Sequence, residues 1–378
     1  MNGDGVKPIF AKPAAEPPTT QAQSSQSQNQ QQRKGSNLTR IALPILLLGG
    51  AAYAYTAYFD STGASSRSTS LNNSTFTPFR LVQKEKVSST CSTFTLEQQS
   101  ATTDAINDMW NSSKVGVWSI DIKQPQLQIA RSYTPLPPVV EAPLQNNKLR
   151  LLVRKEHKGE MSNYIHNTPD QGTLELRGPA VEFELPPNVE RVVFLAGGTG
   201  IAPALQIAHA LQHSQTPAHV TVLWANRKRE DCTGGKSDTN NTSSNMFTAW
   251  FRKNDDASSA ASSNAVVRQL DSLKLASLDN LTVHYFVDEE GTFVKPKDVA
   301  SKLQLQRQSR QEQDHSPHPS TTPSQGQNII FVSGPEGFLN YWAGPKQWKD
   351  GREIQGPLAG VLSQFPQIRS DAWKVVKL

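Results

Sequence analysis

From about Lys86 to Pro187 the chain alternates apolar and polar positions in short runs, among them Thr93–Leu96, Val115–Ile122, Leu149–Val153 and Gly172–Leu176. Every second side chain of a strand faces the same way, so each run predicts a half-buried β-strand. Pro and Gly separate the runs, and the set predicts a small antiparallel β-barrel over residues 86–187. Past Pro186 and Pro187 the pattern changes. Val192–Ala196 is continuously apolar, as a central parallel strand is; Ile201, Leu205, Ala208 and Leu211 then repeat at helical spacing, and His219–Trp224 gives a second strand. This βαβ order predicts an α/β parallel-sheet domain over 188–378. Two stretches rich in Ser, Asn, Gln or Pro interrupt it, 233–264 and 304–327, and their length predicts low-complexity insertions.

Ahead of the barrel the texture differs again. Residues 1–40 are Pro-rich and Gln/Ser-rich with almost nothing apolar to bury, which predicts a disordered or targeting segment. Ile41–Phe59 carries no charge, and as a helix it would extend about 28 Å, enough for a single transmembrane crossing. A buried core helix would also lack charge, but Pro44, Gly49 and Gly50 weaken a soluble helix. Tyr53, Tyr55 and Tyr58 gather at its far end as interfacial aromatics do, while Arg33, Lys34 and Arg40 mark the near end as the inner side. The remainder of the chain then lies across the membrane, after a Ser/Thr/Asn linker over 60–85. A cleaved secretory signal fits less well, because the apolar run is long and far from the start. The first forty residues hold only two acids, Asp4 and Glu16, which is compatible with mitochondrial targeting although the Arg-rich amphipathic helix of such segments is missing.

Hydrophobic residues are 36% of the chain, so the folded part is smaller than the whole. The net charge of +5 is spread without a basic run, which argues against a nucleic-acid partner. Two cysteines, Cys91 and Cys232, make no disulfide framework and lack the spacing of a metal or iron–sulfur site. Redox chemistry would therefore need a bound organic cofactor.

Four segments carry candidate chemistry. Gly197-Gly198-Thr199-Gly200-Ile201-Ala202-Pro203 lies between a predicted strand and a predicted helix, where glycines let a ligand approach the main chain and the helix start offers unpaired N–H groups to a pyrophosphate. Its spacing is neither GxGxxG nor that of a P-loop. In Arg131-Ser132-Tyr133-Thr134-Pro135, a guanidinium can grip a diphosphate, a tyrosine can stack on a flat ring and a hydroxyl can reach a ring nitrogen. Arg131 and Tyr133 share one strand face, and an exposed strand end with Tyr133 covering the barrel mouth reads equally from the residues. Gly159-Glu160-Met161-Ser162 resembles a tight turn opening a helix, which can receive a diphosphate or merely start a helix with Ser162 as N-cap. Finally, Ile329–Ser333 is an apolar strand ending in Gly334-Pro335-Glu336-Gly337-Phe338, a turn at the carboxyl edge of a parallel sheet, where ligands bind.

In this order the four segments resemble the ferredoxin–NADP reductase superfamily, and within it the NADH–cytochrome b5 reductases, over residues 88–345 without the insertions. The resemblance implies an FAD-binding barrel followed by an NAD(P)-binding domain that moves electrons between the two cofactors. It implies that Arg131 binds the FAD pyrophosphate, that Tyr133 packs on the isoalloxazine, and that Ser132 or Thr134 approaches the flavin edge. Gly159, Met161 and Ser162 complete the FAD site; Gly197, Gly198, Thr199 and Gly200 receive NADH or NADPH, with Thr199 near the nicotinamide and Arg227 near the adenosine. Gly334 and Pro335 belong to the late turn, where most relatives carry Cys-Gly-Pro and this chain has Ser333. Tyr133, Thr134, Thr199 and Ser333 are thereby the residues expected nearest the chemistry. The tail beyond Leu339 departs from the family pattern. With the N-terminal anchor, it resembles a fungal mitochondrial group of these flavoproteins that serves cytochrome c import or maturation. That implies an inner-membrane location facing the intermembrane space and a haem-protein acceptor, cytochrome c, apocytochrome c or a haem lyase. A general cytochrome b5 reductase and a membrane-tethered scaffold without turnover remain the alternatives. Arg227, Lys228 and Arg229 suit a 2′-phosphate, whereas Glu230 and Asp231 suit a ribose hydroxyl, so the donor stays open between NADPH and NADH. Trp342, Trp348 and Trp373 read as packing or as a docking surface, and His157, His166 and His209 as surface residues.

Overall fold

The alternating runs do pair, but into a sheet larger than the pattern alone marks out. A computed structural model describes residues 70–98, 104–112, 114–139, 148–212, 218–238, 263–277, 280–313 and 326–378. The first half holds β1 (Thr77–Lys86), β2 (Cys91–Gln98), α1 (Asp104–Asn111), β3 (Val115–Gln124), β4 (Ile129–Tyr133), β5 (Pro135–Leu136), β6 (Lys148–Arg154), α2 (Glu160–Asn167) and β7 (Thr173–Glu184). These strands form one seven-stranded sheet in the order β4-β3-β7-β1-β2-β6-β5, and every pairing in it is antiparallel.

Two expectations are corrected here. The ladder does not close into a barrel, because β4 and β5 remain its two edges. Only Thr134 separates those edge strands in the chain, so the sheet is rolled until its edges meet covalently rather than through a hydrogen-bonded seam. Three register irregularities between β3 and β7 supply part of that bending. The sheet also starts at Thr77, inside the stretch that reads as a linker: Thr77, Phe79 and Leu81 point inward and are buried, and the intervening polar residues hide the alternation. The core of this half gathers Phe79, Phe94, Trp118, Ile120, Leu151 and Leu176.

The second half holds β8 (Val189–Gly197), α3 (Ile201–Gln212), β9 (His219–Asn226), α4 (Ala265–Ala276), β10 (Leu281–Val287), α5 (Pro296–Gln313), β11 (Gln327–Ser333), α6 (Glu336–Ala343), β12 (Gln347–Lys349), β13 (Arg352–Ile354), α7 (Pro366–Arg369) and β14 (Lys374–Lys377). Five strands make a parallel sheet in the order β10-β9-β8-β11-β14. Both of its faces are covered, which is why β8 is apolar throughout: Val192, Phe194 and Ala196 enter one core, Val193 and Leu195 the other. Residues beyond Leu339 supply the fifth strand, and Trp342 and Trp373 are buried in the second core, whereas Trp348 stands 75% exposed on the β12–β13 hairpin.

The read insertions are narrower than expected. Thr233–Asp238 still packs on β10, where Asp238 N donates to Val283 O and Asp238 Oδ2 accepts from Val283 N, and α5 runs on to Gln313. The segment 1–40 and the apolar stretch 41–59 lie outside the described residues; among those described, no helix is long and apolar enough to cross a membrane. His166 and His209 are not free surface residues, since each sets its ring edge-on against an aromatic, Phe94 and Trp110 respectively.

Two buried glutamines on apolar helix faces join the halves. Gln206 of α3 accepts from Trp118 N at 2.9 Å and donates to Pro135 O at 2.8 Å. Gln269 of α4 donates to Pro137 O at 2.7 Å and accepts from Arg150. Each amide thus satisfies backbone groups that burial between the sheets would otherwise leave unpaired.

Candidate active site

Strand β4 delivers the Arg-Ser-Tyr-Thr segment to the rolled edge. Pairing sets Ile122 opposite Arg131, Asp121 opposite Ser132 and Ile120 opposite Tyr133. Arg131 is exposed, and among the described residues its guanidinium bonds only the carbonyl of its neighbour Ala130, at 2.8 Å, which leaves most of its donors directed outward. Tyr133 packs against the antiparallel core, and burial pushes its phenol up to about 12. Ser132 donates to Asp121 Oδ1 at 2.7 Å, and Arg177 holds the other oxygen at 2.8 Å. Arg131 and Tyr133 therefore fall on one face of the strand, with Ser132 and Thr134 on the other.

The second segment resolves one alternative. Gly159 is the N-cap of α2, and Ser162 is the third helical residue; its hydroxyl donates to Gly159 O at 3.0 Å and accepts from Glu156 N at 3.1 Å. Ser162 thus ties the turn shut rather than capping as the entry residue. Met161 turns its side chain into the core, at 4% exposure, so its backbone is what it can offer a ligand.

The two glycine turns of the parallel sheet meet. β8 ends at Gly197, a single 3₁₀ turn covers Gly198–Gly200, and α3 begins at once. Gly198 has φ +53°, a left-handed conformation suited to glycine. A Cβ on Gly200 would collide with the carbonyl of Ser333, and one on Gly334 would stand 3.0 Å from Gly197 Cα. Backbone thus packs on backbone, and no side chain fits between the turns. Pro335 and Phe338 close over Gly197, while Trp224 anchors the turn from β9 by donating its indole N–H to Gly198 O at 2.9 Å.

The end of β4, the start of α3 and the end of β11 border a cleft of about 360 Å³ whose lining includes Ser132, Thr134, Pro203, Ser333, Lys346 and Gln355. The exposed guanidinium, the close-packed glycine cradle and a cleft with four hydroxyls, from Ser119, Ser132, Thr134 and Ser333, suit a flat ring bearing a diphosphate, so the residues present fit both FAD and a nicotinamide dinucleotide.

Sequence reasoning missed the groups that fix this arrangement. Arg154, at the end of β6, lies beside the glycine turn, 3.6 Å from where a Gly198 Cβ would be. It pairs with buried Asp231 at 2.9 Å and donates to Thr90 Oγ1 at 2.8 Å, while Ser88 donates to Asp231 at 2.6 Å. Lys377, 3% exposed, donates to Pro345 O and Pro357 O, both at 2.9 Å, and so pins the base of the β12–β13 hairpin at the cleft. The signal for Lys377 was a charged residue inside an apolar terminal run; for Arg154 there was none beyond its place after a strand.

Comparison with known proteins agrees with this geometry. The oxidoreductase FAD-binding domain family matches residues 78–185, and the oxidoreductase NAD-binding domain family matches 194–275. An uncharacterised FAD-binding protein of Schizosaccharomyces pombe is 31% identical over 178 residues, covering 47% of this chain and 62% of that one. NADH-cytochrome b5 reductase 2 of Kluyveromyces lactis is 23% identical over 65% of this chain and 67% of its own length. The cytochrome c mitochondrial import factor of Saccharomyces cerevisiae is 28% identical over 37% of this chain and 41% of its own. The chain therefore spans less than two thirds of the first of these relatives. With an FAD-binding half built on the antiparallel sheet and an NAD-binding half on the parallel one, the chain belongs to the ferredoxin–NADP reductase family of FAD- and NAD-binding oxidoreductases.

Proposed function

We propose that this chain is an FAD-dependent NAD(P)H oxidoreductase that passes electrons from the dinucleotide to a haem protein. The observation that carries the reading is the convergence of the β4 end, the start of α3 and the end of β11 on one cleft lined by Ser132, Thr134, Pro203 and Ser333. When bound, the flavin supplies the exchange between a two-electron donor and one-electron acceptors; the protein supplies binding, orientation and exclusion of water. Arg131 grips the FAD diphosphate through its outward donors, Tyr133 packs on the flat ring, and Ser132 or Thr134 lies at the ring edge. Gly159 forms the turn that opens α2, and Met161 and Ser162 offer backbone N–H groups at its start to the same cofactor. Gly197, Gly198, Thr199 and Gly200 receive the dinucleotide, with Thr199 and Ser333 beside the nicotinamide and Gly334 and Pro335 shaping its pocket. Arg227 lies at the adenosine end.

The acceptor and the place of action rest on resemblance. Similarity to the cytochrome c mitochondrial import factor supports a role in keeping haem reduced for cytochrome c maturation, at the mitochondrial inner membrane with the flavin part facing the intermembrane space. The longer match to NADH-cytochrome b5 reductase 2 favours cytochrome b5 as the competing acceptor.

Anaerobic addition of NADH or NADPH to the flavin-loaded full chain tests the donor half. Bleaching of the flavin absorbance is expected, followed by reoxidation on adding cytochrome c or cytochrome b5. A bound flavin that stays oxidised with both dinucleotides would overturn the oxidoreductase reading and favour a scaffold.

A further inference from the structure

The glycine turns occupy the carboxyl edge of the parallel sheet; a second cavity opens at the opposite, amino edge. On one face of the sheet Val193 and Leu195 of β8 and Leu223 of β9 enter the core that α5 and Trp373 cover. Side chains alternate along a strand, so the same face carries Arg191 of β8, His219 and Thr221 of β9 and, two residues before His284, Thr282 of β10. Pairing sets these residues side by side: Arg191 opposite His219, and Thr221 opposite Thr282. The face thus turns from apolar to polar toward the amino edge.

Those residues line a cavity of about 290 Å³, closed in by Lys302 of α5 and by Trp373, which is 3% exposed. Among the described residues that line it there is no Asp or Glu, whereas the cleft beside Ser333 sets Glu182 and Glu353 against its lysines. A concave site lined by one sign of charge focuses potential, here positive. Burial pulls the Lys302 amine below its usual range, and Asp298, one turn earlier on α5, opposes that shift. An ammonium short of water gains from an anion brought beside it. His284, next along that face of β10, keeps its Nε2 buried without a hydrogen bond among the described residues; burial, and after it the Lys302 charge, lowers its pKa.

A guanidinium fork, an ammonium and two hydroxyls exceed what the two oxygens of a carboxylate need and match the three terminal oxygens of a phosphate monoester. The indole adds a flat apolar wall on which a ring can lie. The volume sits at the small end of ligand cavities, enough for one ring with its phosphate. We propose that this cavity is a second ligand site, for a small aromatic phosphate monoester: Arg191 and Lys302 take the phosphate charge, Thr221 and Thr282 bond its oxygens, and the ring lies against Trp373. The site shares no lining residue with the cleft beside Ser333, and it stands whether or not the flavin turns over.

Calorimetric titration of the FAD-loaded full chain with phenyl phosphate, inorganic phosphate and phenol reads ring and charge separately. Phenyl phosphate is expected to bind, with inorganic phosphate on the order of tenfold weaker and phenol giving no measurable heat. Lys302→Gln should weaken phenyl phosphate about tenfold, the loss of a charge-assisted contact. Thr282→Val, nearly the same in shape, should weaken it about threefold through one neutral hydrogen bond. Both side chains are half-buried, and each variant should keep the parent's thermal midpoint; if Lys302→Gln disturbs the fold, Thr282→Val still reads the site. Saturating NAD⁺ should leave the phenyl phosphate isotherm unchanged, because the glycine turns lie at the other edge of the sheet. No binding of phenyl phosphate at millimolar concentration, equal binding of inorganic phosphate, binding of phenol as tight, an affinity that survives both substitutions, or competition by NAD⁺ would each overturn the proposal.

Discussion

Arg131 is held by its own neighbour's carbonyl and otherwise faces outward, so the fold does not need it. Its replacement should reveal ligand binding rather than stability. Arg131→Ala is expected to weaken FAD by roughly ten- to a hundredfold, the loss of a charge-assisted contact of about 1.5–3 kcal/mol. The apoprotein's thermal midpoint should move by about 1 °C or less, as for an exposed side chain without internal partners; flavin fluorescence titration and calorimetry read the two quantities. The cysteines illustrate the opposite case. Burial pushes the thiols of Cys91 and Cys232 up to about 11, which keeps both neutral, and so poorly nucleophilic, across neutral pH. A disulfide reagent at pH 8 should therefore label neither thiol in the native protein and both after denaturation. Rapid native labelling would contradict the burial of these two sites.

Among elements, the paired glycine turns carry the sharpest structural demand. A methyl group on Gly200 meets the Ser333 carbonyl, a rigid backbone atom. Gly200→Ala should then cost about 1–3 kcal/mol by forced separation of the turns, visible in chemical denaturation, and should lower the rate of flavin reduction further than stability alone accounts for. Half of this site was legible in the chain. A continuous apolar run, a glycine cluster and a helical repeat identify the β8 turn without help, because all three are local. Its contact with Ser333 and Gly334 was not legible, since it depends on β11 pairing beside β8 across two insertions. Strand β1 was hidden for a different reason: only Phe79 and Leu81 are large apolar residues on its inward face, and a Ser/Thr-rich neighbourhood masks so short a signal. The rolled but open sheet was also out of reach. Alternation identifies strands and faces, whereas closure depends on which edges finally bond. Gln206 and Gln269 do leave a signal in the sequence, a polar residue interrupting an apolar helix face, and they are points where α3 and α4 hold the antiparallel sheet.

For the whole molecule, the charged junction around the β1–β2 turn adds to the two glutamine links in tying the parallel-sheet half to the antiparallel one. Asp231, with its side chain 4% exposed, faces Arg154 at 19%. Removing one member leaves a buried charge unpaired, so Asp231→Ala is expected to cost about 3 kcal/mol, and Ser88 loses its acceptor at the same time. Glu230 contributes in a way that pH can expose. Hydrogen bonds from the Ser89 hydroxyl and backbone hold its carboxyl below the usual carboxylate range. A group whose folded value is depressed stabilises the folded state fully above its unfolded value and loses that contribution as pH falls through the folded one. The link between Glu230 and the β1–β2 turn should therefore be intact at neutral pH and loosen on acidification below about pH 4, where an unperturbed carboxylate titrates. Because Glu230 is exposed, the effect should be small and weakened by salt. Hydrogen exchange at the Ser89 amide, which donates directly to Glu230, reads it at one site: protection relative to its neighbours should fall in acid. Glu230→Gln should show reduced protection at every pH, with the acid-dependent fall abolished. If that fall persists in the variant, the acid response does not belong to Glu230, and the junction opens as a unit rather than one bond at a time.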